Sequence, residues 1–555
     1  MEKIRSKYFA VCAGLIPLIF VITSCKKESA PEKQTYLQVS IPHMSQPQGS
    51  WYQMNSAVRF IELIFDHPVD QATVEGSIVF WDKTGTISGY DIVTSGAMVY
   101  LDFRDDFLLK EGWRYFLKIG SGIRSVNGEF PFKEQTLELR TTKRPLGELL
   151  GINEDAQNTL AVISDIHMGD SRATTGNYCW FGENADALCS FLDYIQNENQ
   201  VRELVIQGDL FDEWLIPYRM APYDPAYGIN NAREFYLAVA NSPVNQPVIQ
   251  RLRAIASGTK TALVYIPGNH DMLLTQDVIE EIIPGIQWAG DVPGLGKHNP
   301  AQGIIMEHGH RYDFFCCPQP LVNPGHMLPP GYFVSRMYAE GMHTSSTLGE
   351  AAFSLPKSSF MFLVAWTGSF IYTMHKFNME APPMDSLVVK MTGADGYPDA
   401  VSFNGMQEIY FLNDIEAKWQ ATQQQNGVPV PISVLVALLN GAYLTPAAIM
   451  EYLEQSTNFT NYKVVSFGHS HDPGIYTFMD DQRQTKIYAN SGSWINDEEC
   501  SPRKSRTFLI IHPAEWSGSE LDVVMLYQYN LSNSLINRQS DYTPELISEA
   551  SIPDL

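Results

Sequence analysis

Apolar residues along this chain fall into two rhythms. Between residues 37 and 142 they form short runs, at 60–65, 77–81, 98–103, 113–119 and 136–139, with Gly or Asp clusters between them. Runs of this length and spacing predict an all-β sandwich. From Thr159 the rhythm changes. Apolar runs at 160–164, 204–206, 262–266 and 304–306 predict buried strands, while Leu188, Phe191, Leu192 and Ile195, and later Val248, Leu252 and Ile255, recur at helical spacing. The second of these helices is predicted to stop at Ser257 and Gly258. Strand alternating with helix predicts an α/β layered domain.

Residues 315–455 interrupt that alternation and are rich in Met, Phe, Tyr and Pro. Within them, residues 360–372 form an apolar run well short of the roughly 20 residues a bilayer span needs. That run is expected to be a core helix of an inserted subdomain, in preference to a membrane-dipping element. Thr445 and Pro446 predict a helix N-cap followed by proline at the first helical position. Val464 and Val465 resume the strand pattern, and the apolar segments 507–511 and 523–527 are expected to complete a second sheet. The resulting organisation is an all-β unit at 37–142, a polar connector, an α/β domain at 158–530 interrupted by the insertion at 315–455, and a loose polar tail at 531–555.

The N-terminus reads as a targeting segment. Lys3, Arg5 and Lys7 precede an apolar stretch at 9–22, the layout of a secretory signal peptide over residues 1–24. Ile22, Thr23, Ser24 and Cys25 resemble a bacterial lipobox, which implies export, a lipid on Cys25 and a membrane anchor on the periplasmic or surface side of a cell envelope, with 25–36 as the tether.

Composition narrows the choices. At 555 residues the chain exceeds one ordinary domain. Hydrophobic content of 45% with 18% charged residues is globular. A formal charge of −24 with no basic patch argues against nucleic acid as a partner. The same charge would repel an anionic phosphate substrate unless bound cations reverse the field locally. With Cys12 removed and Cys25 acylated, Cys179, Cys189, Cys316, Cys317 and Cys500 remain, an odd set without metal-finger spacing. Buried free thiols are the expectation.

The candidate chemistry lies in five short blocks, each closing an apolar run: Asp165 with His167, Gly208 with Asp209, Gly268 to Asp271, His308 with His310, and His469 with His471. Ligands of open α/β sheets sit beyond the carboxyl ends of strands, where all five blocks fall. Asp, His and Asn without thiolate form an N/O donor set suited to manganese first, with iron or zinc as alternatives. A carboxylate can bridge two cations, and two cations about 3.5–4 Å apart can share a hydroxide nucleophile and stabilise the leaving oxygen of an in-line displacement. A histidine titrates in the range needed to protonate that oxygen.

These blocks resemble the signature of the calcineurin-like metallophosphoesterase superfamily over roughly residues 158 to 515, apart from the insertion. The resemblance implies a metallophosphoesterase sandwich of two mixed β-sheets flanked by helices, with two divalent metals at one edge. Carried over residue by residue, it implies Asp165, His167 and His471 on the first metal, Asp209 bridging, and Asn269, His308 and His469 on the second. His270 is then the proton donor or phosphate-contacting histidine, and Asp271 either orients it or caps a helix. His310 either contacts substrate or is structural. Arg311 and Asp313 are close enough in sequence to line the pocket, and a guanidinium suits a phosphate oxygen. Asn490 to Trp494 is expected to support the metal histidines. The segment from Phe65 to Asp70, with Gly112 to Ile119, resembles a bacterial Ig-like module.

Gly208 to Trp214 most resembles the branch containing UDP-diacylglucosamine pyrophosphatase. That enzyme's substrate is cytosolic and this chain reads as exported, so the reaction class carries over and the substrate does not. The leading expectation is an exported, lipid-anchored phosphohydrolase cleaving a phosphoester or pyrophosphate bond. A catalytically silent cell-surface binding protein on the same scaffold, or a hydrolase of membrane lipid phosphoesters, are the alternatives.

Overall fold

The computed structural model describes, with short interruptions, residues 36–41, 52–55, 60–142, 157–344, 401–453, 462–532 and 541–553. The signal segment, Cys25, Cys500 and the apolar run at 360–372 lie outside the described residues. Among the described residues no helix is long and apolar enough to cross a membrane. The chain divides into two units, Met1–Leu146 and Gly147–Leu555.

The first unit is built on two β-sheets, with one short helical turn at Gln71–Val74. One sheet orders the strands Val39–Ser40, Phe60–Phe65, Met98–Phe103 and Tyr90–Ser95; the other orders Tyr52–Asn55, Gln135–Thr142, Arg114–Ile119, Ile78–Asp82 and Gly85–Thr86. Ile61, Leu63 and Phe65 from the first sheet and Phe80, Leu117 and Leu139 from the second share one buried cluster. Alternation put these side chains on the inner faces, since successive residues of a strand point to opposite sides. The strand Tyr90–Ser95 escaped the sequence pattern because its burial alternates only between half-buried and exposed positions.

The second unit carries two sheets. The larger orders Gln287–Trp288, Ala262–Ile266, Val201–Gln207, Thr159–Ile163, Thr507–His512, Leu521–Ser532 and Asp541–Pro553; the smaller orders Gly290–Val292, Leu295–His298, Ile304–Glu307, Val464–Phe467, Thr485–Asn490 and Gly474–Met479. The Thr159, Val201 and Ala262 strands run parallel, with Val162 opposite Val205 and Val205 opposite Val264. They are buried along most of their length, as parallel strands covered on both faces are. The helix Ala185–Asn197 buries Leu188, Phe191, Leu192 and Ile195, and Gln246–Ser257 buries Val248, Leu252 and Ile255. That second helix ends at Gly258, whose N–H bonds the Ile255 carbonyl.

Four expectations need correction. The segments at 507–511 and 523–527 extend the first sheet, because Leu160 pairs antiparallel with Ile511 and Leu509 with Leu526. An apolar run announces a strand but carries no label for its partner. The tail is not loose throughout: Asp541–Pro553 pairs antiparallel along the whole of Leu521–Ser532. It buries Leu546, Ile547, Ala550 and Ile552 between polar residues, which diluted its apolar signal. The described part of the insertion is no separate subdomain. Tyr332, Phe333, Ile415, Trp419, Leu438 and Tyr452 belong to the same buried cluster as Ile163 and Phe467. The helix at Pro446 begins one residue earlier than expected, with Leu444 as its cap and Thr445 at its first position.

Glu451 sits in this region, in the π-helical turn Ile449–Leu453, and is fully buried. Its Oε2 accepts the Val430 N–H at 2.8 Å. Burial raises its carboxyl to about 8, with nearby Glu307 adding to the effect. Below the ordinary value of 4.5 the carboxyl is protonated in both folded and unfolded chain; as pH rises toward 8 only the unfolded chain releases the proton, and stability falls. Glu451→Gln, whose amide oxygen keeps the Val430 contact, is expected to raise Tm by a few degrees above pH 8 and to leave it unchanged below pH 4.5. Thermal melts at the two pH values measure this.

Candidate metal centre

Each polar block sits at the carboxyl end of a strand. Asp165 and His167 follow Thr159–Ile163, Asp209 follows Val201–Gln207, Asn269 and His270 follow Ala262–Ile266, His308 follows Ile304–Glu307, and His469 and His471 follow Val464–Phe467. Because the first three strands are parallel neighbours and the last two are also a parallel pair, these ends face one edge.

The side chains converge there. Asp165 Oδ1 lies 3.1 Å from His471 Nε2 and 3.9 Å from His167 Nε2. Asp209 Oδ2 lies 3.6 Å from His167 Nε2 and 3.2 Å from His308 Nε2, between the two groups. His308 Nε2 is also 3.0 Å from Asn269 Oδ1. Donor atoms of Asp165, His167 and His471 lie within 4.8 Å of one another, as do those of Asp209, His308 and His469.

The donor set fits divalent cations, and three observations say so. His167 Nε2 and His471 Nε2 stand 3.1 Å apart with carboxylate oxygens around them, an arrangement a cation between them would satisfy. The far nitrogen of His167 is held by Asp212 Oδ2 at 2.9 Å, and that of His308 by the Gln207 carbonyl at 2.8 Å, as in histidines whose near nitrogen ligates a metal. Third, among the described residues seven non-glycine positions have positive φ, and Asp165, His167, Asp209, His469 and His471 are five of them. Such backbone costs about 1–3 kcal/mol each and persists where surrounding structure enforces it, typically at functional sites.

Electrostatics point the same way. Burial alone would raise both carboxyls, but His471 and His308 pull Asp165 below the ordinary range and His308 and His270 pull Asp209 well below it. Burial lowers His308, yet Asp209 and Asp165 outweigh it and set the imidazolium at about 9.

Glycines make the approach possible. Gly208 has φ +90, and a Cβ there would lie 2.2 Å from His308 Nδ1. A Cβ on Gly268 would lie 2.1 Å from Asp209 Oδ1.

His270 sits beside the centre. Trp214 stacks on its ring at 4.6 Å, and Asp212 Oδ1 is 3.0 Å from its Nδ1, close enough for an ion pair though not aligned as a hydrogen bond. Burial lowers His270, but Asp212 and Asp209 outweigh it and raise its pKa. Asp271 does not orient this ring. Its Oδ2 accepts from the Leu210 and Phe211 N–H groups and its Oδ1 from the Gly268 N–H, so it ties the Asp209 loop to the Gly268 loop. Two loop backbones that have lost water need an acceptor, and Asp271 is the one in reach. The group that does face His270 is Asp212, which the sequence reading missed although it stands three residues after Asp209. Trp180, also missed, packs 5.0 Å from His167 and 5.9 Å from His471, and no sequence signal marks it.

Arg311 does not line the pocket. It is buried, and its guanidinium bonds Glu307, Asp291 and the Asn426 carbonyl, joining the strand before His308 to the insertion. His310 is buried with Nε2 on the Gly294 carbonyl at 2.9 Å. Asn490 Nδ2 donates to the Gly468 carbonyl at 2.8 Å, beneath His469. Among the described residues Cys189, Cys316 and Cys317 are free thiols, and the Cys179 Sγ donates to the Phe181 carbonyl at 2.7 Å.

Residues 159–332 match the family model for the calcineurin-like phosphoesterase, a segment that includes every block but the last. This segment therefore forms a calcineurin-like phosphoesterase domain, the domain of metallophosphoesterase hydrolases. The family implies divalent metal ions, and the donor groups above are their candidate holders. No curated protein matches the chain. Among solved structures, a dimetal phosphatase from Danio rerio is 10% identical over 72% of this chain and 99% of its own, with a TM-score of 0.30. The S-layer protein SbsC is 19% identical over 19% of this chain, which spans 14% of it, with a TM-score of 0.15. The Ig1-2 module of a Drosophila receptor protein tyrosine phosphatase is 10% identical over 24% of this chain and 62% of its own, with a TM-score of 0.12. With TM-scores this low, the fold rests on the chain's own topology and on the family match.

Gly268→Ala is expected to displace Asp209 and weaken metal binding more than tenfold. Gly228→Ala, at φ +75 with open space around it, should leave metal content unchanged and cost only about 1–2 kcal/mol of strain. Metal analysis and melting of both variants check the pair.

Proposed function

We infer that this chain is an exported, lipid-anchored phosphohydrolase that uses two divalent cations, manganese first among them, to cleave a phosphoester or pyrophosphate bond. The observation that carries the reading is the position of Asp209 Oδ2 between His167 and His308, with the remaining predicted ligands gathered on either side. When bound, such a cation pair supplies Lewis acidity and a water of lowered pKa. The chain's own groups do the rest. Asp165, His167 and His471 form one ligand set; Asn269, His308 and His469 form the other; Asp209 joins them. His270, held by Asp212 and Trp214, stands beside the centre, where Asp212 and Asp209 raise its pKa against burial, and in its protonated form it can donate to the leaving oxygen.

Anchoring through Cys25 and the role of the first unit as an Ig-like spacer rest on the sequence alone. The substrate of the UDP-diacylglucosamine pyrophosphatase branch is not carried over, because export separates the enzyme from it. The silent binding scaffold fits less well, since every predicted ligand is present.

Protein lacking residues 1–25 should hydrolyse a generic aryl phosphate with added manganese. Activity that survives both chelation and Asp209→Asn would sink the proposal. His270→Ala should keep metal content near normal and lower turnover about 100-fold; metal loss in that variant would reassign the residue as a ligand. In a bacterial host, Cys25→Ser should move the full chain from the membrane to the soluble fraction, and unchanged membrane association would remove the lipid anchor from the reading.

A further inference from the structure

Asp313 stands outside the predicted ligand set yet touches one of its members. Its Oδ2 lies 3.1 Å from His469 Nε2, and its side chain is almost fully buried. The carboxylate is fixed independently of that contact: its Oδ1 accepts the Phe315 N–H at 2.8 Å. Its own carbonyl accepts the Cys317 N–H at 2.8 Å and the Cys316 N–H at 3.2 Å. The turn His310–Tyr312, entered through Gly309 at φ +107, carries the chain from His308 to Asp313. One short loop thus places His308 against Asp209 and Asp313 against His469.

His469 is held from a second side as well. Its backbone is left-handed at φ +67, and its N–H donates to the Asp165 carboxylate at 3.1 Å. An imidazole has two ring nitrogens. With Nε2 engaged by Asp313, Nδ1 is the one left for the centre. The two other histidines whose far nitrogen is accounted for follow the same plan, His167 with Asp212 and His308 with the Gln207 carbonyl.

We propose that Asp313 is a positioning residue for the second cation: it accepts the Nε2 proton of His469, fixes the tautomer that presents the Nδ1 lone pair, and adds a buried negative charge one shell out from the metal. Carboxylates placed this way orient a ligating histidine and raise its basicity, and their loss weakens metal binding about 10- to 100-fold. The proposal rests on the two-cation reading above and assigns a role that the ligand set alone does not. A competing arrangement is visible in the same atoms. Asp313, Cys316 and His469 also offer donors within 4.8 Å of one another, and a cation bound directly by all three would have a sulfur ligand. A thiolate favours soft cations over manganese, so the two arrangements separate experimentally.

The test uses the full chain, stripped of metal by chelation and titrated with manganese, with bound metal and affinity measured directly. Wild type should bind two cations. Asp313→Ala should keep the first at wild-type affinity and bind the second about 10- to 100-fold more weakly. Asp313→Asn keeps the shape and, through its one amide oxygen, the Phe315 contact, but it lacks the charge and turns an amide N–H toward His469 Nε2, so it too should bind the second cation more weakly than wild type. It carries the test by itself if the alanine variant does not fold, because it preserves the loop. Wild-type affinity for both cations in Asp313→Asn overturns the proposal. A cadmium titration that produces a thiolate charge-transfer band, lost in Cys316→Ser, also overturns it, since Asp313 would then belong to a direct ligand set. Wild type binding fewer than two cations would sink the two-cation reading and this proposal with it; wild type binding two with an unaffected Asp313→Asn would sink this proposal alone.

Discussion

Everything at the centre turns on how the Asp209 carboxylate is held. Oδ1 accepts the His270 N–H at 2.8 Å, which leaves Oδ2 to face His167 on one side and His308 on the other. A buried carboxylate surrounded only by apolar atoms would take up a proton; this one stays ionised because histidines surround it. Its loop cannot drift. Asp271 ties the next two backbone amides to the Gly268 loop, and the glycines at 208 and 268 let the two loops close to contact distance.

The rest of the unit supports that geometry at one remove. Asp212 does three jobs from one position: it holds His167 Nδ1, faces His270 Nδ1, and accepts the N–H groups of Trp214 and Leu215, so the loop that stacks Trp214 on His270 is built on the same carboxylate. Glu213 extends the support outward, with its N–H on the His270 carbonyl and its carboxylate bonded by Tyr223 and Tyr236. On the opposite side, Arg311 joins Glu307, the residue before His308, to Asn426 in the insertion. The insertion is therefore tied to the strand that delivers a predicted ligand. Removing one partner from such buried networks leaves a desolvated group unmatched, which costs about 1–3 kcal/mol for neutral groups and more for charged ones.

Legibility followed range along the chain. Each block could be read because strand end and polar residue are sequence neighbours, and the five blocks share that local form. The helices Ala185–Asn197 and Gln246–Ser257 could be read because their buried positions repeat at helical spacing. Asp212 was within the Gly208 to Trp214 stretch, but nothing local separates a carboxylate that holds histidines from one that faces water. Arg311 misled for the same reason: a cation beside a metal block reads as a phosphate ligand until its partners, Asp291 and Asn426, are known to be near. Asp271 followed His270 in sequence, yet adjacent residues of a tight turn point in different directions.

By itself, the sequence determined the alternation of strand and helix, the strand ends at which chemistry would appear, and the donor types available there, because those are properties of near neighbours and of side-chain chemistry. Tertiary structure alone decided which strands became partners, so that the run at 507–511 and the polar tail joined the first sheet. It also decided which of several nearby charges meet the histidines: Asp212 and Asp313 do, Asp271 and Arg311 do not. Hydrogen bonds between residues a hundred or more positions apart, such as Gln207 to Glu307, form only once the two sheets pack, and the orientation of every group at the centre is inherited from that packing.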